Sequence, residues 1–242
     1  MKKALKLAAL ALLMAGTMTA CTPDYEIANS AWKGDVSGTD SDGDHYTATY
    51  TMVLNTSSSG MLFVSISYAA DEMPFCFAMP ITYTWDDNQG TATATLTLPE
   101  EGTQTFSIPL SWSKTTSFQA SFNSIEHAFG IGGPLELEKK GFANPSSMEG
   151  TTWTMSISGE YDESNYELKF VNATGAVLNL ALVEGEYTEN LRWNVNYTYS
   201  AGIGTTSIYF DGENIKGGFY MPDENTMLFS DGENGLLLTK QQ

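Results

Sequence analysis

The chain has 242 residues, of which 42% are hydrophobic and 17% charged, a balance that excludes a disordered polyelectrolyte and leaves ample material for packed cores. Lysine and arginine number 11 against 29 aspartates and glutamates, a formal net charge of −18. Phosphate backbones are repelled by such a chain, so no nucleic-acid partner is expected.

Residues 1–20 read MKKALKLAALALLMAGTMTA: three lysines, an apolar stretch over residues 7–15, then mostly small residues, the order of a secretory signal peptide. The apolar stretch falls short of the roughly 20 residues a membrane-spanning helix needs. Met18-Thr19-Ala20-Cys21 resembles a bacterial lipobox, with Met18 and Thr19 standing where Leu and Ala or Ser are usual. The expectation is therefore a signal peptide over residues 1–20, lipidation of Cys21, a tether over residues 21–26 and a membrane partner reached through the lipid. Cleavage nearby by an ordinary signal peptidase is the alternative. With Cys21 lipidated, Cys76 is the remaining thiol and no intramolecular disulfide can form. Its neighbours Phe75 and Phe77 mark Cys76 as a buried structural residue rather than a nucleophile.

From residue 27 onward the apolar period is two, the signature of strands with one buried face. Tyr46, Ala48, Tyr50, Met52 and Leu54 alternate with threonines, as do Ala92, Ala94, Leu96 and Leu98. Further runs starting near Trp32, Met61, Ile81, Thr105, Phe118 and Leu135 bring the first half to eight strands. Residues 73–80 crowd Met, Phe and Cys between Pro74 and Pro80, and proline cannot donate to a central ladder. This stretch is expected to be a loop or an edge, either capping one end of the first barrel or offering a Met-rich contact.

The second half repeats the first. Ile27-x4-Trp32-x3-Val36-Ser37-Gly38 recurs as Met148-x4-Trp153-x3-Ile157-Ser158-Gly159, Tyr83-Thr84-Trp85-x4-Gly90-Thr91 recurs as Tyr197-Thr198-Tyr199-x4-Gly204-Thr205, and Leu135-x-Leu137-x-Lys139 recurs as Leu236-x-Leu238-x-Lys240. Eight alternating runs follow residue 148 as well. Residues 140–147, KGFANPSS, lack a sustained period and read as a linker, so the expected domains are residues 27–139 and 148–242. Sequential antiparallel strands with short hairpins favour two up-and-down barrels, since closure removes exposed edges, with two β-sandwich domains as the alternative. A membrane-spanning barrel is excluded because the threonine-rich faces leave too little apolar surface for a lipid-facing band.

The tryptophan opening the first strand of each repeat, the Tyr-Thr-aromatic hairpin and the closing Leu-x-Leu-x-Lys strand resemble the lipocalin-like (calycin) lipoprotein domains of gut Bacteroidetes, in two copies over residues 27–240. The resemblance implies an exported protein anchored in the outer membrane and possessing no catalytic activity, which holds a small apolar or glycan ligand. Asp24 and Glu26 behind Cys21 fit the acidic flavour that accompanies surface display in such lipoproteins. A structural or protein-interaction subunit with side-chain-filled barrels is the alternative.

Chemistry-bearing residues are few. Asp40, Asp42 and Asp44 offer alternating carboxylates to a cation, but His45 and Thr51 stand where a calcium loop needs Gly and Glu, so a polar turn is the competing reading. The two Asp-Gly-Glu-Asn segments at Asp211 and Asp231 read as hairpin turns. His45 and His127 have no nucleophile motif around them, Glu184 and Glu186 read as an acidic hairpin, and Gly130-Ile131-Gly132-Gly133 lacks the Lys-Ser or Lys-Thr of a phosphate loop. Neither a cofactor nor an enzymatic reaction is expected. What remains is aromatic: Tyr50, Tyr83, Trp85, Trp193, Tyr197 and Tyr199 point inward in a barrel, where they line a ligand cavity or simply fill the core.

Overall fold

The computed structural model describes residues 27–39, 42–68, 74–86, 91–98, 104–114, 116–121, 134–158, 162–232 and 234–241. The signal segment, Cys21, the tether, Asp40, Met73, His127 and the glycine run at 130–133 lie outside them. Eight strands form the first half: β1 (Ser30–Thr39), β2 (His45–Leu54), β3 (Ser59–Tyr68), β4 (Phe75–Asp86), β5 (Thr91–Leu98), β6 (Gln104–Lys114), β7 (Ser117–Ser121) and β8 (Pro134–Lys140). The second half has β9 (Thr152–Ser158), β10 (Asp162–Phe170), β11 (Gly175–Glu184), β12 (Tyr187–Ser200), β13 (Ile203–Phe210), β14 (Glu213–Asp223), β15 (Thr226–Ser230) and β16 (Gly235–Lys240). Each half is a closed antiparallel up-and-down barrel. Barrel 1 closes where Trp32 opposes Lys139, and barrel 2 where Trp153 opposes Lys240. Closure leaves no open edge in either sheet, and the architecture fits a lipocalin-like fold.

The duplication is repeated bond for bond at the closed ends. The Trp32 indole N–H donates to Ser30 Oγ at 2.6 Å, and Ser30 Oγ donates to the Ile27 carbonyl. In barrel 2 the Trp153 N–H donates to Thr151 Oγ1 at 3.0 Å, which donates to the Met148 carbonyl at 2.6 Å. Lys139 and Lys240 each sit with Nζ 5.7 Å from the centre of the corresponding indole. Tyr83 donates to the Thr56 carbonyl at 2.5 Å, and Tyr197 to the Asn172 carbonyl at 2.6 Å, each phenol tying down the hairpin beside it. A hydroxyl thus finds a partner without leaving the apolar interior.

The expectation for residues 73–80 needs correcting. Phe75 to Pro80 belong to β4, an inner strand paired with β3 from Phe75 to Thr82 and with β5 from Ile81 onward. The ladder to β5 begins just past Pro80, and the ladder from β6 to β7 begins at Leu110, just past Pro109, so both prolines fall beside ladder ends. Alternation continues through the segment: Phe77 and Met79 pack inward with the core, while Cys76 and Ala78 face outward toward barrel 2. It does not cap the barrel; it is the wall that meets the second one.

That contact is apolar. Ala31, Val53, Met61, Phe63 and Cys76 form one cluster with Ile203 and Tyr220, and the Phe63 and Tyr220 rings stand 4.9 Å apart. Ser230 Oγ donates to the Cys76 carbonyl at 2.5 Å, and Gly235 N–H to the Pro74 carbonyl at 2.8 Å. Glycine is required at two points: a Cβ on Gly235 would lie 2.6 Å from Cys76 Cβ, and one on Gly218 2.7 Å from Met61 Sδ. The connection 141–151 is held too, because Ala143 N–H donates to the Met221 carbonyl and Phe142 packs against the shared cluster.

Candidate functional site

The two interiors differ. Among the described residues barrel 1 is packed: Trp32, Tyr50, Met52, Leu62, Val64, Met79, Ile108 and Phe118 are buried in one cluster, with the Trp32 and Phe118 rings 4.5 Å apart. The recess beside Ile27, Trp85, Leu110 and Phe118 does not admit even a water molecule. In barrel 2 the equivalent filling stops halfway. Phe170, Tyr197, Phe219, Met227 and Phe229 pack the end near Trp153, with Tyr199 stacked on Phe219 at 6.0 Å and 2°. Toward the β11–β12 and β13–β14 turns the core gives way to a cavity of about 260 Å³.

Register explains how the same layer is full in one barrel and open in the other. Tyr50 opposes Val64 and Leu62 opposes Met79 in barrel 1; Tyr166 opposes Leu180 and Leu178 opposes Trp193 in barrel 2. Tyr50, Val64 and Met79 are buried, whereas Tyr166, Leu180 and Trp193 are half-buried and border the cavity. Leu178 from β11, Ile208 and Phe210 from β13 and Ile215 from β14 complete an apolar wall. Phe210 is half-exposed at the mouth, its ring 6.2 Å from that of Trp193. Asp231 and Asn234, from the turn joining β15 and β16, supply the polar side. Asn234 N–H donates to Asp231 Oδ1 at 2.7 Å, which fixes that turn. Burial, and then the nearby Asp231 charge, push the Tyr166 phenol above its ordinary range, so it stays protonated. An apolar wall with a few oriented polar groups is the usual make-up of a small-molecule site.

Of the six aromatics expected to line a ligand site, Trp193 alone borders this cavity. Tyr50 and Tyr83 are buried core residues of barrel 1, and Trp85 packs half-buried against the same core. Tyr197 and Tyr199 belong to the packed end of barrel 2, where burial pushes the Tyr199 phenol up to about 12. Strand parity could have found Tyr166, two positions from Leu168 on the same face. The turn residues Asp231 and Asn234 carry no such signal.

Asp42 and Asp44 are exposed in the turn between β1 and β2, and among the described residues no three His, Cys, Asp or Glu side chains gather as metal ligands would. Cys76 is buried between the barrels, where desolvation pushes its thiol up to about 12. The Asp211-Gly212 turn has φ of 46° and 88°, the left-handed pair an Asp-Gly hairpin demands. Three larger recesses are of another kind, the smallest of them, about 350 Å³, lying beside Asn144, Pro145 and Glu224 at the Trp153 end. Another, of about 530 Å³, is a polar groove on the outer face of β9 to β12 beside Asn165, Asn179 and Arg192; the third, of about 500 Å³, is the cleft between the barrels.

In comparisons with known proteins, no family model, curated protein or solved structure matches the chain. The class is therefore defined by architecture alone: a tandem pair of closed eight-stranded antiparallel barrels, one packed among its described residues and one with an end cavity.

Proposed function

We propose that the protein is a lipid-anchored, noncatalytic binding protein of the cell envelope that holds a small apolar or glycan ligand in barrel 2. The observation that carries the reading is the cavity framed by Trp193, Phe210 and Ile208, with Asp231 and Asn234 on its polar side. Its volume of about 260 Å³ suits a ligand the size of a monosaccharide or a single aromatic ring. The anchor rests on the lipobox-like Met18-Thr19-Ala20-Cys21. The filled interior of barrel 1 favours a second role for that half, as the module that docks and orients barrel 2.

A ligand screen on the soluble form beginning at Thr22, read by tryptophan fluorescence, tests the binding. Hits should lose about tenfold or more in affinity in Trp193→Ala and be unaffected by Trp85→Phe. Binding indifferent to Trp193 would overturn the site. Mass spectrometry of the mature amino terminus tests the anchor, which an unlipidated terminus would refute.

A further inference from the structure

The cavity of barrel 2 is polar on one side only. Five successive strands, β10 to β14, line it with leucines, isoleucines and the rings of Tyr166, Trp193 and Phe210. The ladders set these side chains against one another, Tyr166 opposite Leu180, Leu178 opposite Trp193 and Ile208 opposite Ile215, so the apolar wall runs unbroken across those strands. Among the lining residues the carboxylate is Asp231 and the amide Asn234, and both come from the single turn between β15 and β16. The Tyr166 hydroxyl belongs to the same side, because the Asp231 charge reaches it.

Hydrogen bonds within that turn decide what the polar side offers. Asn234 N–H donates to Asp231 Oδ1 at 2.7 Å, and the Asn234 side-chain amide donates to Asp231 Oδ2 at 3.3 Å. Both bonds point the donors of Asn234 at the carboxylate, which itself accepts at either oxygen and donates nothing. The turn therefore asks a ligand for a donor. A sugar ring fits this arrangement badly: it carries hydroxyls around its whole rim, and those facing Leu178, Leu180 and Ile208 would be buried without partners. An anion meets the Asp231 charge. A flat ring suits the wall, since the Trp193 and Phe210 rings stand 6.2 Å apart at 63°, an edge-to-face pair that a third ring extends.

Resting on the reading that barrel 2 binds a small ligand, we propose that this ligand is a one-ring aromatic molecule carrying a hydrogen-bond donor and no negative charge, with its body against Trp193, Phe210 and Ile208 and its donor on Asp231. The apolar wall sets the body, and Asp231 sets the polar group; the choice between an apolar and a glycan ligand falls to the apolar one.

Calorimetry at neutral pH on the two-barrel chain from Thr22 tests it with four probes: 4-ethylphenol, its methyl ether 4-ethylanisole, the anion 4-ethylbenzoate and methyl α-glucoside. 4-Ethylphenol should bind tightest, about tenfold or more over 4-ethylanisole, which lacks the donor. The anion and the glucoside should bind more weakly than either. Asp231→Asn keeps a turn-forming side chain of the same shape and removes the charge, so it should raise the affinity for 4-ethylbenzoate severalfold, lower that for 4-ethylphenol and leave 4-ethylanisole unmoved. A purely structural role for Asp231 would move all the probes together, and that result, or an unmoved phenol-to-benzoate ratio, would overturn its assignment as the selecting residue. Equal binding of 4-ethylphenol and 4-ethylanisole would overturn the donor, and a glucoside or benzoate that binds tightest would overturn the ligand class, each leaving the cavity reading standing. Failure of all four to bind would overturn the cavity reading and the proposal with it.

Discussion

Each barrel is anchored at the scale of single residues by one tryptophan whose indole N–H is satisfied inside the core. Trp32→Ala and Trp153→Ala should each cost about 3 to 5 kcal/mol in denaturant unfolding, since a large cavity replaces a side chain that is at most 1% exposed. A loss under about 1 kcal/mol would show that the tryptophans are not the anchors. Both were legible in the sequence, because a large aromatic recurring at matched spacing inside a strand pattern has few places to go but the core. Cys76 was legible for a similar reason, its apolar neighbours announcing burial. Its thiol moves from about 9 to about 12 on folding, so the contribution is fully present below pH about 9 and is lost as pH rises toward 12, where the unfolded thiol has already ionised. Tyr50, Tyr83, Tyr199 and Tyr220 are shifted in the same direction by burial. Melting temperature should therefore fall steadily from about pH 9 upward, and Cys76→Ala should flatten the first part of that fall; a profile level to pH 11 would contradict this.

Strand count and order were readable because every strand of both barrels has one face against a core, which writes period two into the chain. β4 was misread at its start for a physical reason: a proline is forbidden only where its missing N–H faces a neighbouring strand. Pro80 lies beside the beginning of the β4–β5 ladder, a relation between strands that no single stretch of sequence displays. The outward residues of β4 were hidden likewise, since Cys76 and Ala78 are apolar on the face turned toward the second barrel. This interface predicts coupled unfolding of the two barrels. Gly235→Val would force a methyl-bearing carbon into the space held by Cys76, costing about 1 to 3 kcal/mol. Scanning calorimetry should show one transition for the native chain and two for the variant. An unchanged thermogram would mean that Gly235 is not a close-packed contact.

The duplicated fold has given the molecule two barrels of unlike interior, and the proposed binding role rests on that difference. Parity along the strands told which side chains point inward but could not tell whether an inward layer closes. Tyr50 with Val64 and Met79 fills that layer in barrel 1, whereas Tyr166 with Leu180 and Trp193 leaves it open in barrel 2, and the outcome depends on the volumes of the whole ring rather than on any one residue. That is why five of the six expected ligand aromatics lie in or against the packed cores and away from the cavity. The most direct test is crystallographic: crystals of the two-barrel chain soaked in 4-bromophenol, with the bromine located by its anomalous signal. The account predicts a peak in barrel 2 between Trp193, Leu180 and Ile208 and none inside barrel 1; a bromine within barrel 1, or an unoccupied barrel 2 at saturating probe, would contradict it.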